Sequence, residues 1–210
     1  MKKVICSMIL LIVLLACTNE ETLPKDKKGK EESQIQQVDR PIIEGNLLEY
    51  RPKVGTTRVF KNNEDEIYQQ KVLAENEEYI QLTILLSGAP TTQIYRWTDT
   101  EITLVYEHSS PADPSKSIVN QFTPMGDLET LINLEMFTAD WQLIDIKDEI
   151  TVPVGRFQDV YVLRMITDEV EGADTIYTRY FAKGTGLIKE TFELTGESGY
   201  TDEATLSIIE

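Results

Sequence analysis

"YIQLTILLSGAPTT" (residues 79–92) places Ile80, Leu82, Ile84 and Leu86 on one face, with Tyr79, Gln81 and Thr83 on the other, before "SGAPTT" signals a turn. A period of two over eight residues, rich in β-branched side chains, is the pattern of a strand entering a hairpin. The pattern repeats outward along the chain. "EITLVYE" (101–107) groups Ile102, Leu104 and Tyr106. "DVYVLRMI" (159–166) is apolar on both faces, as a doubly covered strand is. "DTIYTRYFA" (174–182) and "GLIKETFEL" (186–194) are rich in β-branched and aromatic residues. Between the runs stand Asn62-Asn63, "SSPADPSK" (109–116), "EGAD" (171–174), "KGTG" (183–186) and "GESG" (196–199), all turn chemistry. Strands at this spacing without long helices between them predict one mainly β domain over 41–210, an antiparallel sheet with at most one short helix. A short helix or turn packed on the sheet is expected in "GDLETLINLEMF" (126–137), where Leu128, Leu131, Ile132 and Met136 lie near helical spacing and Asp127 could cap.

The 210 residues carry 36 acids against 20 bases and one histidine. Such a surface repels phosphate backbones, so nucleic acid is excluded as a partner, and adhesion to anionic lipid by charge alone is disfavoured. The two cysteines, Cys6 and Cys17, both precede the domain, which therefore has no disulfide and no thiolate metal site. Its core alone must hold it.

The N-terminus reads Met1-Lys2-Lys3, then an apolar run from Val4 to Ala16, then charge. As a helix that run spans roughly 20 Å, short of the hydrocarbon core, which is the pattern of a signal peptide (residues 1–16) and not of a membrane span. Its border, Leu14-Leu15-Ala16-Cys17, resembles the bacterial lipoprotein signal known as the lipobox. The resemblance implies that Cys17 receives a diacylglycerol on Sγ and becomes the new N-terminus, and two acyl chains give stable anchoring. Residues 18–40, "TNEETLPKDKKGKEESQIQQVDR", lack the apolar side chains needed for a core, so 17–40 reads as a lipidated cysteine and a flexible tether. A coil of this length reaches roughly 25–30 Å.

Three glycine-centred phrases, "YRPKVGTTRVF" (50–60), "TVPVGRFQDVYVLR" (151–164) and "RYFAKGTGLIKETF" (179–192), together resemble a group of uncharacterised bacterial surface lipoproteins. In that group a Y-x-P-x-x-V-G start, a P-x-G-x-F turn and a Y-F-x-x-G-x-G-L-I-K hairpin recur in this order. Thr57 stands where the group usually has an aromatic residue. The group is distantly similar to half-barrel envelope lipoprotein carriers, which implies a curved, half-barrel-like sheet. Independently of the resemblance, Gly155 and Gly186 suit tight turns with positive φ.

Chemistry is sparse. His108 has no second histidine to share a zinc ion, and neither Ser109 nor Ser110 sits in a strand-to-helix elbow. No phosphate-cradling glycine motif occurs, so no cofactor is expected. The loop "DEVEGAD" (168–174) holds carboxylates suited to calcium but departs from the EF-hand pattern. No carboxylate pair is set apart for glycoside hydrolysis. The reading is therefore a non-enzymatic lipoprotein on the extracytoplasmic face of a cell membrane, of Gram-positive type by composition, or on the outer membrane of a two-membrane cell. Two roles remain. Tyr68, Tyr95, Trp97, Tyr106, Tyr161 and Tyr177 could face a hydrophobic or lipid-like ligand in an elongated apolar concavity of a few hundred Å³. Alternatively, the domain is an envelope module that presents an apolar patch or a free sheet edge to a protein partner.

Overall fold

The computed structural model describes residues 45–135 and 140–210. The leader, Cys17, the tether and residues 41–44, together with Met136 and Phe137, lie outside the described residues.

The described chain is nearly all sheet. Eleven strands follow a single 3₁₀ turn at Leu47–Tyr50: β1 (Thr57–Asn62), β2 (Asp65–Glu75), β3 (Tyr79–Leu86), β4 (Ala89–Trp97), β5 (Glu101–Ser109), β6 (Glu129–Asn133), β7 (Gln142–Val152), β8 (Gly155–Val170), β9 (Ala173–Ala182), β10 (Gly186–Leu194) and β11 (Tyr200–Ile209). All pairings are antiparallel, in the order β6-β5-β4-β3-β2-β1-β11-β10-β9-β8-β7. Two runs of hairpins are thus joined where the first strand pairs with the last, with Val59 opposite Ile208 and Phe60 opposite Leu206. The outer strands β6 and β7 touch without pairing, so the curved sheet is a nearly closed barrel.

Local sequence explains the hairpins. Leu86 pairs with Ala89, and Ser87 and Gly88 between them both take positive φ, 50° and 82°. That is the two-residue turn whose twist matches the strands it joins. Register shifts interrupt most strand pairs, among them Phe60/Lys61, Val72/Ala74, Ile94/Tyr95 and Leu187/Lys189. Each bulge adds a residue on one side only, which bends and twists the sheet toward closure.

Three buried clusters hold the fold. The largest joins Leu47 and Tyr50 of the 3₁₀ turn to Val72, Ile80, Leu82, Trp97, Ile102, Leu131, Tyr161, Leu163 and Phe181, from strands all around the barrel. Tyr50 stacks on Tyr161 at 4.4 Å, and its hydroxyl donates to the Asp159 carbonyl at 2.7 Å. A second cluster collects Phe60, Val152, Val160, Ala182, Ile188, Ala204 and Leu206. In the third, Val119 and Phe122 of the β5–β6 loop pack on Ile94, Val105 and Tyr106. This loop explains the fully buried Gln81, whose amide donates to the Lys116 carbonyl at 2.9 Å and accepts from Ile118 N at 2.7 Å.

The expected helix in 126–137 is instead strand β6. Leu131 and Ile132 are buried, but Leu128 is half exposed, and Asp127 pairs with Arg96 at 2.9 Å and caps nothing. Of the four apolar residues near helical spacing only Leu131 and Ile132 fall in the five-residue strand, and that pair fits strand and helix equally well. The unpaired edge of β5 decides: Ile102 pairs with Ile132 and Leu104 with Glu129, bonds that a short isolated helix cannot supply.

Candidate ligand cavity

Inside the barrel lies a cavity of about 200 Å³. Its lining is mixed, with apolar Leu82, Ile84, Trp97, Leu131, Phe181 and Leu187 beside polar Arg58, Tyr68, Gln70, Gln93, Tyr95, Glu129, Arg179 and Glu190. The two kinds alternate along single strands: Trp97 and Tyr95 on β4, Leu131 and Glu129 on β6, Phe181 and Arg179 on β9, Leu187 and Glu190 on β10. The largest core cluster shares Leu82, Trp97, Ile102, Leu131 and Phe181 with this lining.

The expected ligand-facing residues divide. Tyr95 and Trp97 from β4, with Tyr68 from β2, line the cavity. The Trp97 indole N–H donates to the Leu47 carbonyl at 2.8 Å, which ties the 3₁₀ turn to the cavity wall. The Tyr95 hydroxyl donates to Gln93 Oε1 at 2.9 Å, and Tyr68 stacks on Phe60 at 4.6 Å. Burial raises the pKa of both phenols, that of Tyr68 further through its hydrogen bond to Glu190. The other three are elsewhere. Tyr106 packs against Phe122 under the β5–β6 loop, and Tyr161 is core beneath Tyr50. Tyr177 contacts Phe192 in a second depression of about 270 Å³, which shares Arg179 and Glu190 with the first. The concavity is smaller than expected and only half apolar.

The lining holds two cations in contrasting states. Arg179 on β9 reaches Glu129 of β6 and Glu190 of β10, each at 3.5 Å, and its guanidinium lies 4.4 Å from the centre of the Trp141 ring. The Trp141 N–H donates to Glu129 Oε1 at 2.8 Å. Burial opposes the Arg179 charge, yet the two carboxylates hold its pKa above the ordinary value. Two carboxylates do meet in this cavity, therefore, but across one guanidinium that both of them engage.

Arg58 on β1 is 2% exposed and pairs with no carboxylate among the described residues. Its Nη groups donate to the Thr185 carbonyl and to Gln70 Oε1, while the buried Nε has no hydrogen-bond partner. Burial lowers its pKa to about 10. Gly186, at φ 74°, lets β10 pass close by: a Cβ there would stand 3.1 Å from Arg58 Nη1 and 3.2 Å from Pro52 Cδ.

None of Arg58, Gln70, Glu129, Arg179 and Glu190 is singled out by the sequence reading, although a signal exists. Each shares a strand face with an apolar residue two positions away: Phe60, Val72, Leu131, Phe181 and Phe192. A charge in phase with the buried face marks a polar interior. Elsewhere, His108 is exposed on β5, and Asp168, Glu169, Glu171 and Asp174 are exposed around the β8–β9 turn. No group of three or more acids or histidines is placed to hold a metal ion among the described residues.

No protein-family model matches the chain, and no curated protein matches it either. Its structure is similar to that of a chain described as "a putative lipoprotein from Parabacteroides distasonis", with 10% sequence identity and a TM-score of 0.42, over 77% of this chain and 98% of that one. Identity and score are both too low for the likeness to bear on function.

Proposed function

We propose that the chain is a lipoprotein, fastened by Cys17 to the extracytoplasmic face of a cell membrane, whose barrel binds a small amphipathic ligand without catalysing a reaction. The observation that carries the binding role is the cavity itself, lined by aliphatic, aromatic and charged side chains together inside the nearly closed barrel. Binding pockets for drug-sized ligands hold about 300–1,000 Å³, so at about 200 Å³ this one suits a short molecule or one end of a longer one. The carboxylates that could otherwise serve as an acid and a nucleophile are both occupied by Arg179, which favours binding over hydrolysis. Composition favours a Gram-positive type of cell, with the outer membrane as the location in a two-membrane cell.

Native mass spectrometry of the protein from its producing cells tests the binding role. A small co-purified molecule that is lost when Leu82 is enlarged to Trp is expected; a mass equal to the bare chain under all gentle conditions contradicts it.

The alternative, an envelope interaction module, draws support from β7. This edge strand exposes Ile144 and Ile146 by more than two-fifths. Yet it also carries Asp145, Lys147, Asp148 and Glu149, the charges by which edge strands resist pairing. The cavity reading is preferred.

A further inference from the structure

We propose that the ligand carries a single carboxylate, bound by Arg58, with its apolar part against Leu82, Ile84, Trp97, Phe181 and Leu187. The inference rests on the binding role given above and adds the chemical class of the ligand.

The argument compares the two cations of the cavity. Arg179 is served by Glu129 and Glu190, so its charge is answered within the protein. Arg58 is more deeply buried and has no counter-charge among the described residues, only the neutral acceptors Thr185 O and Gln70 Oε1. A buried charge without a partner is expensive, and natural cores either pair it or remove it. Its retention in a wall of a solvent-connected cavity points to a counter-charge that arrives from outside. Arg58 lines the cavity, and each of its Nη groups keeps a second N–H beyond the one given to Thr185 O or Gln70 Oε1; a charge-assisted bond from these to an arriving carboxylate is stronger than one to a neutral acceptor.

Size and charge select the class. Arg58 has no acid within ion-pair distance, while Glu129 and Glu190 already leave the Arg179 cluster one negative charge in excess, so the lining has room for one further negative charge at most. About 200 Å³ does not admit a whole phospholipid, and the apolar half of the lining asks for a hydrocarbon portion. A short aliphatic monocarboxylic acid meets all three conditions. Gly186 completes the site, since its missing side chain leaves the guanidinium room beside Pro52.

The test uses the full purified chain, with hexanoate and 1-hexanol titrated calorimetrically at pH 7. Wild type is expected to bind hexanoate at least about tenfold more tightly than hexanol, the scale of one charge-assisted hydrogen bond. Arg58→Met should keep hexanol binding and lose the preference, and Arg58→Lys should retain part of it. Equal affinities in the wild type overturn the carboxylate assignment while leaving the cavity's binding role intact. Tighter binding of hexylamine than of hexanoate overturns it too. Binding of none of the three removes both readings together.

Discussion

If Arg58 is kept for a ligand and not for the fold, replacing it by methionine should cost the unliganded protein almost nothing. Its guanidinium, moved by burial from its ordinary value down to about 10, has lost about 3 kcal/mol of preference for its charge, at roughly 1.4 kcal/mol per tenfold. Methionine removes that penalty and keeps an unbranched chain as far as the position of Nε. Against this stand two lost hydrogen bonds, to Gln70 Oε1 and the Thr185 carbonyl, at about 1.5 kcal/mol each. The two sums cancel, so Arg58→Met should lie within about 1 kcal/mol of wild type. Arg179→Met supplies the contrast. It strands Glu129 and Glu190 and removes the cation from the Trp141 face. Because that cluster is a quarter to a third exposed, a loss of about 1–3 kcal/mol is expected, less than a fully buried pair would give. Urea unfolding, followed by the fluorescence of Trp97 and Trp141, measures both variants, with an unchanged denaturant slope as the check on two-state behaviour. A loss above about 3 kcal/mol for Arg58→Met, the cost of breaking a structural buried pair, would refute the reasoning.

Other consequences are equally direct. Tyr50→Phe should lose about 1 kcal/mol with its hydrogen bond to the Asp159 carbonyl, and Tyr50→Ala about 3–5 kcal/mol by emptying the core beneath the cavity; an alanine variant as stable as the phenylalanine one would show that the 3₁₀ turn is not part of the core. Burial raises the pKa values of Tyr50, Tyr68 and Tyr95, so folding favours their protonated forms. That contribution is complete below the unfolded tyrosine value near 10.0 and is lost as pH rises above it. Arg51 and Arg58, both lowered by burial, have the opposite sign over the same alkaline range, but Tyr79 and Tyr177 are raised as well, so two groups oppose five and stability should fall. Absorbance titration should show Tyr50, Tyr68 and Tyr95 ionising only with unfolding; nine tyrosines titrating together near 10 in the folded chain contradicts this. Metabolic labelling with palmitate should mark the wild-type chain and leave Cys17→Ser unmarked, and label on the serine variant would remove the proposed anchor.

The strands were legible because most obey one rule, alternation between turn signals. "YIQLTILL" became β3 with its limits unchanged, and "DVYVLRMI" lies within β8, with Val160, Tyr161, Val162 and Leu163 all buried as a doubly covered strand requires. The segment 126–137 was not legible, because four apolar residues near helical spacing cannot distinguish a turn of helix from a five-residue strand that holds two of them. What decides it is the free edge of β5, more than twenty residues away in sequence. Near-closure of the barrel was hidden for a related reason. It depends on β1 pairing with β11 across the whole domain and on bulges such as Val72/Ala74, which no local pattern announces.

The cavity was misjudged differently, through a prior about charge. Charged residues in a strand are ordinarily assigned to the solvated face, so the sequence reading singles out five tyrosines and Trp97 but neither Arg58 nor Arg179. Phase contradicts that assignment, since Arg58 is two residues from the buried Phe60 and Arg179 two from the buried Phe181. Tyr106 shows the converse, for its alternation with Ile102 and Leu104 is broken by the Ile94/Tyr95 bulge, which turns it toward the outer loop. A sheet that curls into a barrel has an inside that need not be a core. There, a basic residue in step with the apolar face carries information that an aromatic one does not: aromatics are buried wherever they pack, but a cation is tolerated inside only where something answers its charge. Arg179 is answered by the protein's own acids. The barrel leaves Arg58 to be answered from outside it.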